Sequence, residues 1–128
     1  MSDYTIVNFD DVDDAAVAFG LAPDLDARFP KKELGCEQTG VSRQRIAPGF
    51  RVPFGHTHKT QEELYVVVDG SGSVKLDDEV VPIRRWDVVR VAPGTGRAFE
   101  AGLDGLELVA FGAPYADGDA EMVQGWWD

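Results

Sequence analysis

Between Val41 and Phe111 short apolar runs alternate with turn residues at intervals of roughly 8–12 positions, and no helical period interrupts them. In order the runs are VSRQRIA, closed by Pro48-Gly49; FRVPF; EELYVVV, closed by Asp69-Gly70-Ser71-Gly72; SVKL, closed by Asp77-Asp78; EVVPI; DVVRVA, closed by Pro93-Gly94; RAFEA; and LELVAF after Gly105. Alternation gives each strand a buried face, with Tyr65, Val67 and Val89 expected to point inward and Arg90 outward. Strands in this number without intervening helices predict an all-β sandwich or barrel, with DGSGSV as a hairpin.

The ends read differently. Asp10-Asp11-Val12-Asp13-Asp14 followed by AAVAFGL predicts one short, acid-capped helix ended by Gly20 and Pro23. Residues 1–40 are therefore expected to form an N-terminal arm or lid, 41–112 the barrel and 113–128 a tail. That tail is not strand-like, and Trp126 and Trp127 are expected to dock on the barrel or on a second chain, since burying an indole removes about 150–250 Å² from water.

A chain of 128 residues has room for one domain with a real core. The single Cys36 has no internal disulfide partner, the first twenty residues lack a basic and apolar leader, and the longest aliphatic run is Val66-Val67-Val68. A cytoplasmic protein without a membrane partner is expected. The net charge of −11 repels nucleic acid, and no basic patch interleaved with aromatics offsets it. All 12 Lys and Arg nevertheless fall between Arg28 and Arg97, a segment of charge +3, while each flank carries seven acids and no base. An acidic surface thus leaves room for a pocket that accepts an anionic small molecule.

Both histidines of the chain lie in His56-Thr57-His58. On a strand their side chains share a face, and Glu63 opens the next apolar run, so two imidazoles and a carboxylate can converge. Such a set suits Zn, Fe, Mn and Ni, and two His with one carboxylate serve many non-haem iron oxygenases. The bland counterpart is a His-x-His pair facing solvent. No Ser-His-Asp set and no phosphate loop is present, and no catalytic residue is assigned.

Gly49 to Gly70 resembles the first motif of the cupin family: His56-x-His58, four residues, Glu63, six residues, Gly70, with Gly49 one position further upstream than usual. The resemblance spans about residues 41–112. It implies an antiparallel double-stranded β-helix (cupin or jelly-roll barrel), a homodimer, and a divalent transition metal (Fe, Mn, Ni, Zn or Cu) on His56, His58 and Glu63, or none. The second motif departs from the family pattern. Its Pro93-Gly94-Thr95 turn is present, but Asp87 stands where a Gly is usual and Arg97 where the remaining His ligand would be.

A guanidinium and a divalent ion about 4 Å apart repel by roughly 8 kcal/mol at an effective dielectric of 20, so metal and inward Arg97 compete. Three outcomes stay open. The metal binds and Arg97 grips a substrate carboxylate, in a metal-dependent oxygenase or isomerase acting on a small polar molecule. Alternatively, Arg97 pairs with Glu63 in a metal-free binding or sensing protein, or the histidines only brace the barrel. Arg97, Tyr65 and Arg45 are the candidate substrate contacts. Arg45, with Arg43, has an outward strand face as its alternative, Tyr65 a core position, and Glu62 competes with Glu63 as ligand.

Overall fold

In the computed structural model, which describes residues 2–128, two long strands organise everything else. The elements are a 3-10 turn (Phe9–Asp11), β1 (Leu25–Arg28), a one-turn helix α1 (Lys31–Leu34), β2 (Gly40–Ile46), β3 (Phe54–His58), β4 (Glu62–Leu76), β5 (Glu79–Arg84), β6 (Val88–Val91), β7 (Arg97–Ala113) and β8 (Ala120–Gln124). β4 and β7 run antiparallel over their whole lengths, from Glu62↔Ala113 to Leu76↔Arg97. Register shifts at Val67/Asp69 and Gly70/Gly72 break that ladder near its middle, and such bulges bend a strand.

The bend divides the partners. The first half of β4 pairs with β6 and its second half with β5; the second half of β7 pairs with β2, and its first residue with β3. β1 and β8 extend the two ends of the path. The result is one sheet curled into an antiparallel double-stranded β-helix. Its core lies between the two halves, where Tyr65 and Val67 meet Val74, Ile83, Phe99 and Leu108, and the rings of Tyr65 and Phe99 stand 4.8 Å apart.

Three features differ from the sequence reading. DGSGSV is no hairpin but the bent middle of β4. Gly70 turns that corner at φ +75, where a Cβ would overlap the Gly105 carbonyl, so backbone approach replaces the expected loop. The helix expected over AAVAFGL is absent: the arm's helical turns are the 3-10 turn and α1, and it supplies strand β1. Asp14 accepts from the amides of both Ala16 and Ala27 (2.9 Å each), and the Ala15 amide donates to Ala27, so the segment is pinned to β1 and advances as successive turns. The tail does contain a strand: β8 lies along β3 from Phe54↔Gln124 to His58↔Ala120, where pairing an open edge outweighs its weak alternation.

Pro82 is accommodated because β5 pairs on one side only. Tyr65, Val67 and Val89 all face the core as expected.

Candidate functional site

Strand alternation aims the motif. On β3, Phe54, His56 and His58 line an internal cavity of about 300 Å³. On β4, Glu63 and Tyr65 face the same space, whereas Glu62 points outward and pairs with Arg90 at 2.7 Å, so Glu63 is the inward carboxylate. Arg97, the first residue of β7, is the cross-strand neighbour of His56. The pairing itself delivers the guanidinium to the histidines.

Glu63 Oε1 is the centre of the cluster. It lies 3.6 Å from the Nε2 of both His56 and His58 and 3.5 Å from Arg97 Nη2, and it accepts a hydrogen bond from the Tyr65 hydroxyl. One ligating atom from each of His56, His58 and Glu63 falls within 4.8 Å of the others. Arg97 is fully buried; its Nε donates to the Tyr65 hydroxyl (3.1 Å) and its Nη1 to the Thr95 carbonyl (2.8 Å), while Nη2 has no hydrogen-bond partner among the described residues.

The protonation states suit metal ligation. Burial lowers the His56 pKa, and the Arg97 charge adds to that against the nearby Glu63 carboxylate, which favours the neutral, ligating form of its imidazole. Glu63 is held far below the usual carboxylate range: burial opposes this, but the close approach of His56 and His58 and the hydrogen bond from Tyr65 outweigh it. Burial, reinforced by the Glu63 charge, pushes the Tyr65 phenol well above its ordinary value. His58 Nδ1 lies 3.1 Å from Asp119 Oδ2; donating there leaves Nε2 as the nitrogen with the lone pair.

Asp119 was not among the residues the sequence singled out. It sits just before β8, and its carboxylate also accepts from the Thr60 amide (2.9 Å), the Thr60 hydroxyl (2.7 Å) and the Gln61 amide (3.1 Å), which keep it ionised with a pKa lowered to about 2. Nothing in the spacing of DGD separates Asp119 from Asp117; only the β3–β8 register does.

Arg45 does not join the site. It stands on the outer face of β2, paired with Glu107 at 2.9 Å, because Ser42 and Gln44 take the inward positions of that strand. Arg43 lies on the outer face too, but is buried there beneath the arm, bonded to Asp10 at 3.1 Å. The remaining cavity wall is mostly apolar, with Phe19, Phe29, Tyr115 and Met122 partly exposed. Trp126 and Trp127 dock on the barrel, half-buried. Trp126 lies over Gly55 and Gly96, where a Cβ on Gly55 would come within 2.6 Å of the indole, and donates to the Lys75 carbonyl (3.2 Å). Trp127 donates to the Val52 carbonyl (2.8 Å).

A curled antiparallel sheet holding two imidazoles and a carboxylate in its interior defines a small, single-barrel double-stranded β-helix protein. The model of the cupin domain family matches residues 42–110, and the chain belongs to that family. An uncharacterised protein of Methanocaldococcus jannaschii is 30% identical over 89 residues, which cover 64% of this chain and 70% of that one. A cupin protein of Bacteroides fragilis superposes with a TM-score of 0.71 at 24% identity, over 91% of this chain and 89% of its own. Streptomyces Pac13, a nucleoside dehydratase seen with uridine, gives 0.72 at 22% identity, over 98% and 93%. Salicylate 1,2-dioxygenase of Pseudoaminobacter salicylatoxidans, seen with gentisate, gives 0.67 at 15% identity over 81% of this chain and 30% of that one. These likenesses establish the fold.

Proposed function

We propose that this protein binds a divalent transition metal through His56, His58 and Glu63 and acts on a small carboxylate-bearing molecule held in the adjoining cavity. The observation that carries the reading is the convergence of three ligating atoms within 4.8 Å, two of them imidazole nitrogens, with His58 braced through its other ring nitrogen by Asp119. Two neutral nitrogens and one anionic oxygen form a donor set that fits Fe, Mn, Ni, Zn or Cu. A metal bound there would supply Lewis acidity or a dioxygen site.

The chain's own residues define what surrounds it. Asp119 orients His58, and Tyr65 and Arg97 place a hydroxyl and a guanidinium beside Glu63. The mostly apolar wall lowers the dielectric around that corner and strengthens each charged contact in it. Neighbours in fold include a dioxygenase and a dehydratase, and the reaction class proposed for this chain is metal-assisted oxygenation or isomerisation.

The approach of Arg97 to Glu63 favours a second reading, in which the pair replaces the metal and the cavity serves a non-enzymatic binding or sensing role. Elemental analysis separates the two. Stoichiometric metal in protein purified under metal-replete conditions, lost in His56→Ala, supports the first; its absence from both supports the second. Arg97→His, which removes the cation and adds a neutral ligand, should bind Zn or Ni more tightly than wild type at neutral pH. An unchanged affinity in that variant would show that Arg97 does not oppose the metal.

A further inference from the structure

We propose that the cavity takes a small acid with a single carboxylate head and an apolar body, and that this carboxylate, received by Arg97, couples acid binding to metal binding so that each tightens the other. The inference rests on the metal reading above and names its substrate class.

Arg97 is fixed before any ligand arrives. Its Nε and Nη1 are engaged by Tyr65 and Thr95, and the side chain is buried against the cavity, so the guanidinium is held in place there. One donor, Nη2, remains unpartnered among the described residues, and it lies 3.5 Å from Glu63 Oε1, beyond good hydrogen-bond reach. A buried charged donor left unmade is costly, and a carboxylate oxygen is the acceptor that answers it best.

Charge balance supplies the coupling. A metal-ligating imidazole is neutral, so a divalent ion and Arg97 would face Glu63 and, behind His58, Asp119, three positive charges against two negative. The carboxylate of a bound acid removes the remaining excess. An acid therefore favours the metal-loaded state, and by linkage the metal favours the acid by the same factor.

The walls choose the rest of the molecule. Beyond the polar corner the cavity is bounded by Leu25, Val52, Phe54, Phe99 and Ala110, which suit an apolar body. The other cationic side chain on the lining, Lys31, holds its ammonium 4.0 Å over the Tyr115 ring. One head group is thus anchored deep in the barrel, and the body extends towards the aromatic mouth.

The test is calorimetric titration of Co²⁺ into wild type with and without saturating benzoate, benzyl alcohol serving as the uncharged control, and the reciprocal titration of benzoate with and without Co²⁺. Benzoate should tighten Co²⁺ by about tenfold, Co²⁺ should tighten benzoate equally, and benzyl alcohol should do neither. In Arg97→Met the metal should bind more tightly than in wild type without benzoate, and the coupling should shrink towards none. Co²⁺ binding to wild type that benzoate leaves unchanged would overturn the coupling while sparing the metal site. Equal coupling in wild type and Arg97→Met would overturn the role of Arg97. No Co²⁺ binding to either protein under any condition would remove the metal reading and this inference with it. The wild-type titrations decide the coupling even if Arg97→Met fails to fold.

Discussion

Two arginine–glutamate pairs stand on opposite faces of the same curled sheet. Arg45 and Glu107 meet on the outside of β2 and β7 at 2.9 Å, their side chains 55% and 23% exposed. Arg97 and Glu63 meet inside at 3.5 Å, at 0% and 15%. The closer pair is the less consequential. Water solvates Arg45 and Glu107 almost as well apart as together, so their contact is worth at most about 1 kcal/mol. Arg97 has no such alternative, and its charge is tolerated only because Glu63, Tyr65 and Thr95 surround it. Distance ranks the two one way and solvent access the other, and solvent access decides.

Breaking the inner pair from the acid side should have the largest effect. Glu63→Ala leaves Arg97 as a buried cation without a counter-charge, and metal-free protein should lose about 3–5 kcal/mol in urea denaturation. A loss below about 1 kcal/mol would mean the two pairs do not differ in kind. Adding Arg97→Met to Glu63→Ala should recover part of that loss, since the stranded charge is then gone.

The cover over the inner pair can be tested next. Trp126 seals the outer side of β3 and β7 at Gly55 and Gly96, behind the residues that carry His56 and Arg97. Trp126→Ala should cost roughly 2 kcal/mol, less than a fully buried indole because the ring is only half-buried. Calorimetric melting of the variant checks it; an unchanged melting temperature would show that the tail adds nothing to the barrel.

The outer pair should respond least. Arg45→Ala should change stability by less than about 1 kcal/mol, and the difference should fade in about 1 M salt, where exposed charges are screened. Its neighbour Asp26 offers a pH version of the same comparison. The Arg28 hydrogen bond, against a smaller opposing effect of burial, lowers the Asp26 pKa, so the unfolded chain binds that proton more readily than the folded one. This contribution is complete above the unfolded pKa of about 3.9 and is lost as pH falls through the lower folded value. Wild type should therefore lose slightly more stability than Asp26→Asn between about pH 5 and about pH 3, measured by denaturation at each pH. Equal slopes would show that the pair makes no net contribution.

Strand patterns carried most of the fold and much of the site. Alternation alone turns Tyr65 and Val67 inward, and it settles Glu63 over Glu62 once β4 is known to start where it does. It could not separate Arg45 from Arg97, because each follows a turn or flanks apolar residues in much the same way, and only the inward course of Ser42 and Gln44 shows that Arg45 faces solvent. The acidic run before AAVAFGL mimics a helix cap, yet Asp14 spends its carboxylate on the amides of Ala16 and Ala27, a long-range partner that local propensity does not register. β8 escaped notice for a similar reason: its strand state comes from the edge of β3 rather than from its own residues.

The bond between Asp119 and His58 separates the boundary of the homologous domain from the boundary of the working unit. The family match stops at residue 110, and every motif residue lies within it. The carboxylate that sets the orientation of His58 lies outside, on a segment that must first lay β8 along β3. A protein engineer transplanting residues 42–110 into another scaffold would carry over all three ligating side chains and leave behind the brace that aims one of them. In folding terms, the proposed metal site is complete only once the last strand has closed.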